Sequence, residues 1–133
     1  VKAADSSVLI AAFASWHEKH DVAVRALDDG ARLVEHCVLE AYSVLTRLPP
    51  PHRAAGEVVT GFLRARSLRP PLRLGPKSHR EFVLTLSEHG MAGGAVYDAL
   101  VAATVAEHGH SLVSCDRRAA STYERYGIRF EIL

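Results

Sequence analysis

A chain of 133 residues, 48% of them hydrophobic, can fill one compact core, so a single domain over residues 1–133 is expected. Lys+Arg 16 against Asp+Glu 15 leaves a formal net charge of +1, which excludes reading the chain as a polyanion binder from net charge alone. No apolar stretch approaches the ~18 residues of a membrane span, and Val1 to Ile10 lacks the layout of a secretory signal, so a soluble cytoplasmic protein is expected, with no membrane partner.

The opening reads as a strand, Val1 to Ala4, then Asp5, Ser6 and Ser7, then an apolar helix from Val8 to Ala14 that Ser6 or Ser7 can cap. A helix from Glu18 to Leu27 ends at the turn signal Asp28-Asp29-Gly30, and Arg32 to Cys37 reads as a strand. Ala41, Val44, Leu45 and Leu48 recur with helical period, placing Glu40 in the first turn of a helix from Leu39 to Leu48 that stops at Pro49-Pro50-Pro51. A helix from Arg53 to Arg66 has a basic end, continued by Arg69 and Arg73. A short strand at Leu72 to Leu74 and a helix from Pro76 to His89 follow, before Gly90, Gly93 and Gly94 break the chain. Ala95 to His108 is a strongly apolar helix with Asp98 in its first turn, and Ser111 to Cys115 reads as a buried strand running into Asp116. A helix from Arg117 to Tyr126 and a strand from Ile128 to Leu133 close the chain. Strands alternating with helices predict an α/β fold, a parallel sheet covered on both faces.

Each acid has an ordinary explanation: Asp5 and Asp116 as turn or cap residues, Glu40 and Asp98 as first-turn acids favoured by the helix dipole. Their surroundings argue for more. Asp98 precedes Ala99-Leu100-Val101-Ala102-Ala103 and Asp116 follows Leu112-Val113-Ser114-Cys115, so these carboxylates are not freely solvated and need a cation. Ligands in open parallel sheets bind at the carboxyl ends of strands where strand order reverses, and Asp5 and Asp116 both stand at strand ends. If those two strands are neighbours, the four acids face one crevice. Carboxylates without imidazole or thiolate select Mg²⁺ or Mn²⁺, which activate water and stabilise a phosphodiester under attack. Ser7 and Ser114 are placed to orient the acids from behind.

Asp5-Ser6-Ser7-Val8-Leu9-Ile10, then Glu40 with Ser43, Leu45 and Arg47, then Tyr97-Asp98-Ala99-Leu100, and finally Leu112-Val113-Ser114-Cys115-Asp116-Arg117-Arg118-Ala119 together resemble the PIN domain, and more narrowly VapC toxins of bacterial VapBC toxin-antitoxin pairs. The resemblance covers essentially the whole chain. It implies a five-stranded parallel sheet in order 3-2-1-4-5, flanked by helices in three layers. It also implies Mg²⁺- or Mn²⁺-dependent endonucleolytic cleavage of structured RNA such as tRNA or rRNA, with inhibition of translation. A homodimer and a VapB-type antitoxin partner are implied too. On this likeness Asp5, Glu40, Asp98 and Asp116 are catalytic, Asp5, Asp98 and Asp116 ligate the metal, and Ser7 and Ser114 occupy the family's small hydroxyl positions. Where some members carry a further acid after the fourth, this chain has Arg117, Arg118, Ala119 and Ala120, leaving open whether one or two ions act.

Other readings keep their place. A nuclease of RNA processing or a catalytically inactive antitoxin-binding protein would share much of this sequence. A phospho-receiver module should show an acidic pair after the first strand, where this chain has Ser6-Ser7. Arg117 and Arg118 border the proposed crevice and are candidate RNA contacts; Arg64, Arg66, Arg69 and Arg73 form a second basic run. The eight histidines fall on predicted helix ends and loops and are not read as catalytic, and Trp16 is read as a core or dimer residue before a base-stacking one. Cys37 and Cys115, both placed in buried strands, are expected to be free thiols.

Overall fold

A computed structural model describes residues 1–133. β1 (Lys2–Ala4) leads into α1 (Ser6–Phe13), α2 (His20–Asp28), β2 (Arg32–Leu33), α3 (Glu35–Arg47), α4 (Gly56–Arg66), α5 (Pro76–Thr85) and α6 (Ala95–Glu107). β3 (Ser111–Ser114) follows, then a 3₁₀ turn (Arg117–Ala119), α7 (Ala120–Arg125) and β4 (Phe130–Ile132). The sheet is parallel throughout, in order β2-β1-β3-β4. No helix is long and apolar enough to cross a membrane.

The expected third strand at Leu72 to Leu74 is reduced to one residue. Leu72 bridges Val34 in parallel on the outer side of β2, donating its N–H to Leu33 O at 2.8 Å and accepting from Glu35 N at 2.8 Å. Pro70 and Pro71 bring no N–H to a ladder, and Gly75-Pro76 turns the chain into α5, so the pairing cannot lengthen either way. The sheet thus has four strands instead of five, with Leu72 standing where the 3-2-1-4-5 order puts its outermost strand.

Two boundaries also differ from the sequence reading. The strand expected from Arg32 to Cys37 ends at Leu33, and α3 starts at Glu35, because Cys37, Ala41 and Leu45 are buried at four-residue intervals on one helix face. Cys37 is therefore helical, and Glu40 sits in the second turn of α3 instead of the first. The cap of α1 is Asp5 and not Ser6 or Ser7: its carboxylate accepts from the Ser7 and Val8 N–H groups.

One apolar cluster joins the sheet to α1, α2, α3, α4 and α6, with Val8, Leu9, Val34, Leu45, Val59, Val105, Leu112 and Val113 fully buried. Each such side chain contributes roughly 1.5–3 kcal/mol relative to exposure. Ala3, Ala4, Ala11 and Ala12 are buried as well, and their small side chains let α1 lie close to the sheet edge it leaves. A smaller cluster of Leu74, Phe82 and Ala99 seats α5 against α6.

Candidate active site

β1 and β3 are hydrogen-bonded neighbours with Ala4 level with Val113, so both open on the same sheet edge. β2 lies beyond β1 and β4 beyond β3, so the connections depart in opposite directions from this pair. That is the strand-order reversal at which open parallel sheets form a crevice. Asp5 follows β1 directly, its N–H still reaching Val113 O at 3.3 Å, and Asp116 stands two residues past β3. The cleft here has a volume of about 380 Å³ and is lined by Asp5, Ser6, Ser7, Glu40, Asp98 and Asp116, with Ile10, Val44 and Cys115 as its apolar wall. His17 and Arg118 complete the lining.

Asp5 is only 4% exposed, and its burial is made tolerable by a dense set of donors. Oδ1 accepts from Ser7 N at 3.0 Å, from Val8 N at 3.4 Å and from the Ser7 hydroxyl. Oδ2 accepts from the Tyr123 hydroxyl at 2.8 Å. Burial pushes the Asp5 carboxyl above its ordinary range, while the Ser114, Ser7 and Tyr123 hydroxyls and the Val8 N–H pull it back. Burial, and then the charge of Asp5 and the hydrogen bond to it, drive the Tyr123 phenol far upward, so Tyr123 stays protonated and donates.

Ser7 and Ser114 link the two strand ends. The Ser7 hydroxyl donates to Asp5 and accepts from Cys115 N at 2.7 Å, and it lies 3.3 Å from the Ser114 hydroxyl. Ser114 Oγ in turn accepts from Asp116 N at 3.0 Å. Asp116 accepts from Arg118 N at 2.9 Å and from Arg118 Nε at 3.3 Å, which starts the 3₁₀ turn. From the helices, the Ser6 hydroxyl donates to Glu40 Oε1, and Asp98 comes from the first turn of α6.

Asp98 carries the electrostatic record of this convergence. Its carboxyl is pushed up to about 6, first by desolvation and then by the negative charges of Asp116, Glu40 and Asp5, with Arg118 partly opposing them. An acid held against three others calls for a cation, and the donor set of carboxylates and hydroxyls around Asp98 suits a hard divalent ion. No three His, Cys, Asp or Glu side chains form a closed coordination group in this structure. The thiols take no part: burial holds Cys37 well above its usual range, and burial and Asp5 push Cys115 up to about 11, leaving both protonated and unpaired.

The expected basic contacts divide. Arg118 lines the cleft with a 94% exposed side chain, and Arg117 does not line it. The second basic run lies outside the cleft, where Arg66 pairs with Asp28 at 2.6 Å, Arg69 donates to Gly30 O at 2.9 Å and Arg73 approaches Glu35 at 3.9 Å. Three contributors escaped the sequence reading. Tyr123 lies 118 residues from the carboxylate it serves, and no local signal marks it. Ser6 was read as a cap, and His17 was set aside with the other histidines although it follows α1 closely enough to share the cleft.

The sequence matches the PIN domain family over residues 3–125. It is 47% identical over 131 residues to Ribonuclease VapC40 of Mycobacterium tuberculosis, in both strains CDC 1551 / Oshkosh and ATCC 25618 / H37Rv, covering 98% of each chain. It is 39% identical over 127 residues to Ribonuclease VapC27 of strain ATCC 25618 / H37Rv, covering 95% of this chain and 92% of the other. With the acidic cleft at the β1/β3 edge and near-full-length likeness to two VapC proteins, this chain belongs to the PIN-domain family, in its VapC group.

Proposed function

We propose that this protein is the toxin of a VapBC-type toxin-antitoxin pair, an endoribonuclease that depends on Mg²⁺ or Mn²⁺ and halts translation by cutting structured RNA such as tRNA or rRNA. The observation that carries the reading is the meeting of Asp5, Glu40, Asp98 and Asp116, from four separate segments, in one cleft at the β1/β3 edge. The names of the VapC relatives support it. A VapB-type antitoxin, a homodimer and a cytoplasmic location belong to the same proposal.

Asp5, Asp98 and Asp116 would hold the ion, which when bound supplies a Lewis acid for water activation and for the charge on the phosphodiester. Asp5 is fixed by its serine and tyrosine donors, so its oxygens are aimed before any ligand arrives. Glu40, steadied by Ser6 through one oxygen, keeps the other free to accept a proton from the attacking water. Arg118, exposed at the cleft, offers its guanidinium to a phosphate oxygen of the RNA.

Purified protein should cut RNA in Mg²⁺ or Mn²⁺ and not in EDTA. Asp5→Asn and Asp98→Asn should each lower the rate by at least about 100-fold, with circular dichroism unchanged. Cleavage at wild-type rate by both folded variants would overturn the assignment.

A further inference from the structure

Trp16 is the only tryptophan of the chain, and it is 51% exposed in the connection between α1 and α2. An isolated exposed apolar side chain is ordinary, but this one is stacked. The His52 ring, from the connection between α3 and α4, lies 4.1 Å from it between centroids with the planes 31° apart. Two loops remote in sequence thereby build one aromatic surface.

Both loops are held by their own hydrogen bonds. His17 N donates to Ala14 O at 2.9 Å, Lys19 N to His17 Nδ1 at 3.0 Å, and His20 N to His17 O at 3.0 Å. Across from them, Ala54 N donates to Leu45 O at 3.0 Å and Arg53 Nε to Leu48 O at 2.9 Å. The surface is therefore set before a ligand arrives, which lowers the ordering cost of binding. It is also continuous with the acidic cleft, because the residue after Trp16, His17, lines that cleft. With Nδ1 accepting from Lys19, the neutral His17 ring carries its proton on Nε2 and is a fixed donor there.

We infer that the Trp16–His52 pair is a stacking shelf for a nucleobase of the RNA whose phosphate enters the neighbouring acidic cleft, an inference that rests on the ribonuclease reading. Every base has a π-face, so such a shelf positions a strand without reading its sequence. The surroundings favour a base over an apolar peptide side chain: Ser15, His17, Glu18 and Lys19 flank Trp16, and Arg53 follows His52, so there is polar ground and cationic charge where an apolar pocket would be needed. Trp16 and His52 are thus positioning residues for substrate, standing outside the carboxylates that carry the chemistry.

Because Trp16 is the sole tryptophan, fluorescence excited at the red edge, where the four tyrosines do not absorb, reports the shelf alone. Single-stranded RNA oligonucleotide titrated into Asp98→Asn protein should quench that fluorescence strongly, and an abasic ribose-phosphate strand of equal length should not. Trp16→Ala should raise the Kd for the oligonucleotide about 10–100-fold, with Trp16→Phe restoring part of the loss. In the otherwise wild-type protein, acting on a stem–loop RNA that it cuts, Trp16→Ala should raise KM and leave kcat within about twofold. Equal quenching by the abasic strand, or an unmoved Kd and KM, would overturn the shelf. So would unchanged RNA affinity with lost binding of an antitoxin peptide, which would assign the surface to a protein partner. If the wild-type protein cuts no RNA the ribonuclease reading itself fails, whereas cleavage with an unmoved KM in Trp16→Ala tells against the shelf alone.

Discussion

Asp98 shows most directly what crowding carboxylates in a half-buried cleft does to a folded chain. Its carboxyl titrates near 6 in the folded protein instead of 3.8, through desolvation and the charges of Asp116, Glu40 and Asp5. A raised folded-state value means that the stability linked to this group is fully present below pH 3.8 and is lost as the pH rises through about 6. In EDTA the contribution of this group should therefore be lost at pH 8 and largely retained at pH 4.5. Asp98→Asn removes the ionisation, and because the site is partly solvated the gain at pH 8 should be about 1 kcal/mol, or about 4 °C in Tm. Little gain should remain at pH 4.5. Thermal unfolding of both proteins at the two pH values checks this, and equal differences at both would refute the crowding argument. The other acids show why single residues are hard to read from a sequence: Asp5 is a helix cap and a buried acid of the cleft at once, so its ordinary role does not exclude the proposed one.

At the scale of the element, α1 begins where β1 ends, and one side chain manages the transition. Asp5 accepts the first N–H groups of α1, so a substitution there confounds capping with chemistry unless the replacements are chosen to separate them. Asn caps a helix about as well as Asp, while Ala costs about 1 kcal/mol. Asp5→Asn and Asp5→Ala should both be inactive on RNA, with Asp5→Ala the less stable by about 1 kcal/mol or somewhat more, since Ala also strands the Tyr123 hydroxyl. Urea unfolding of the pair measures the difference. Equal stability would mean that the cap contributes nothing, and activity in Asp5→Asn would remove Asp5 from the site. Where the sequence reading erred at this scale, the causes are local. Leu33 and Val34 continue into Cys37 and Val38 without punctuation, so strand and helix could not be divided until Cys37, Ala41 and Leu45 were seen on one buried face. Pro70 and Pro71 left Leu72 with a single bridge where a strand was expected.

For the whole molecule, the cleft exists because β1 and β3 are adjacent, and its outer charge is set by what the chain places beyond β3. Arg118 lines the cleft and Arg117 does not, so the two should separate in RNA binding. Arg118→Ala should weaken binding most at low salt and reduce the slope of log K against log salt by about 0.7–0.9, the release expected for one phosphate contact, whereas Arg117→Ala should leave the slope alone. Equal slopes for Arg118→Ala and the unsubstituted protein would remove Arg118 from the RNA path. The apolar periods of Ala95 to His108 and Ser111 to Cys115, and the acids set against them, were legible in the sequence because local chemistry forces them: helix and strand burial repeat on fixed periods, and an acid beside an apolar run requires compensation. The alternation of strands and helices likewise determined the parallel α/β class. Only the tertiary structure decided that Tyr123 serves Asp5, that Ser7 links the two strand ends, that Arg118 and not Arg117 reaches the cleft, and that Trp16 meets His52. Those pairings join residues dozens of positions apart, and nothing in a local pattern specifies which distant side chain will supply a buried group with its partner. The strand order does, once the whole core has packed.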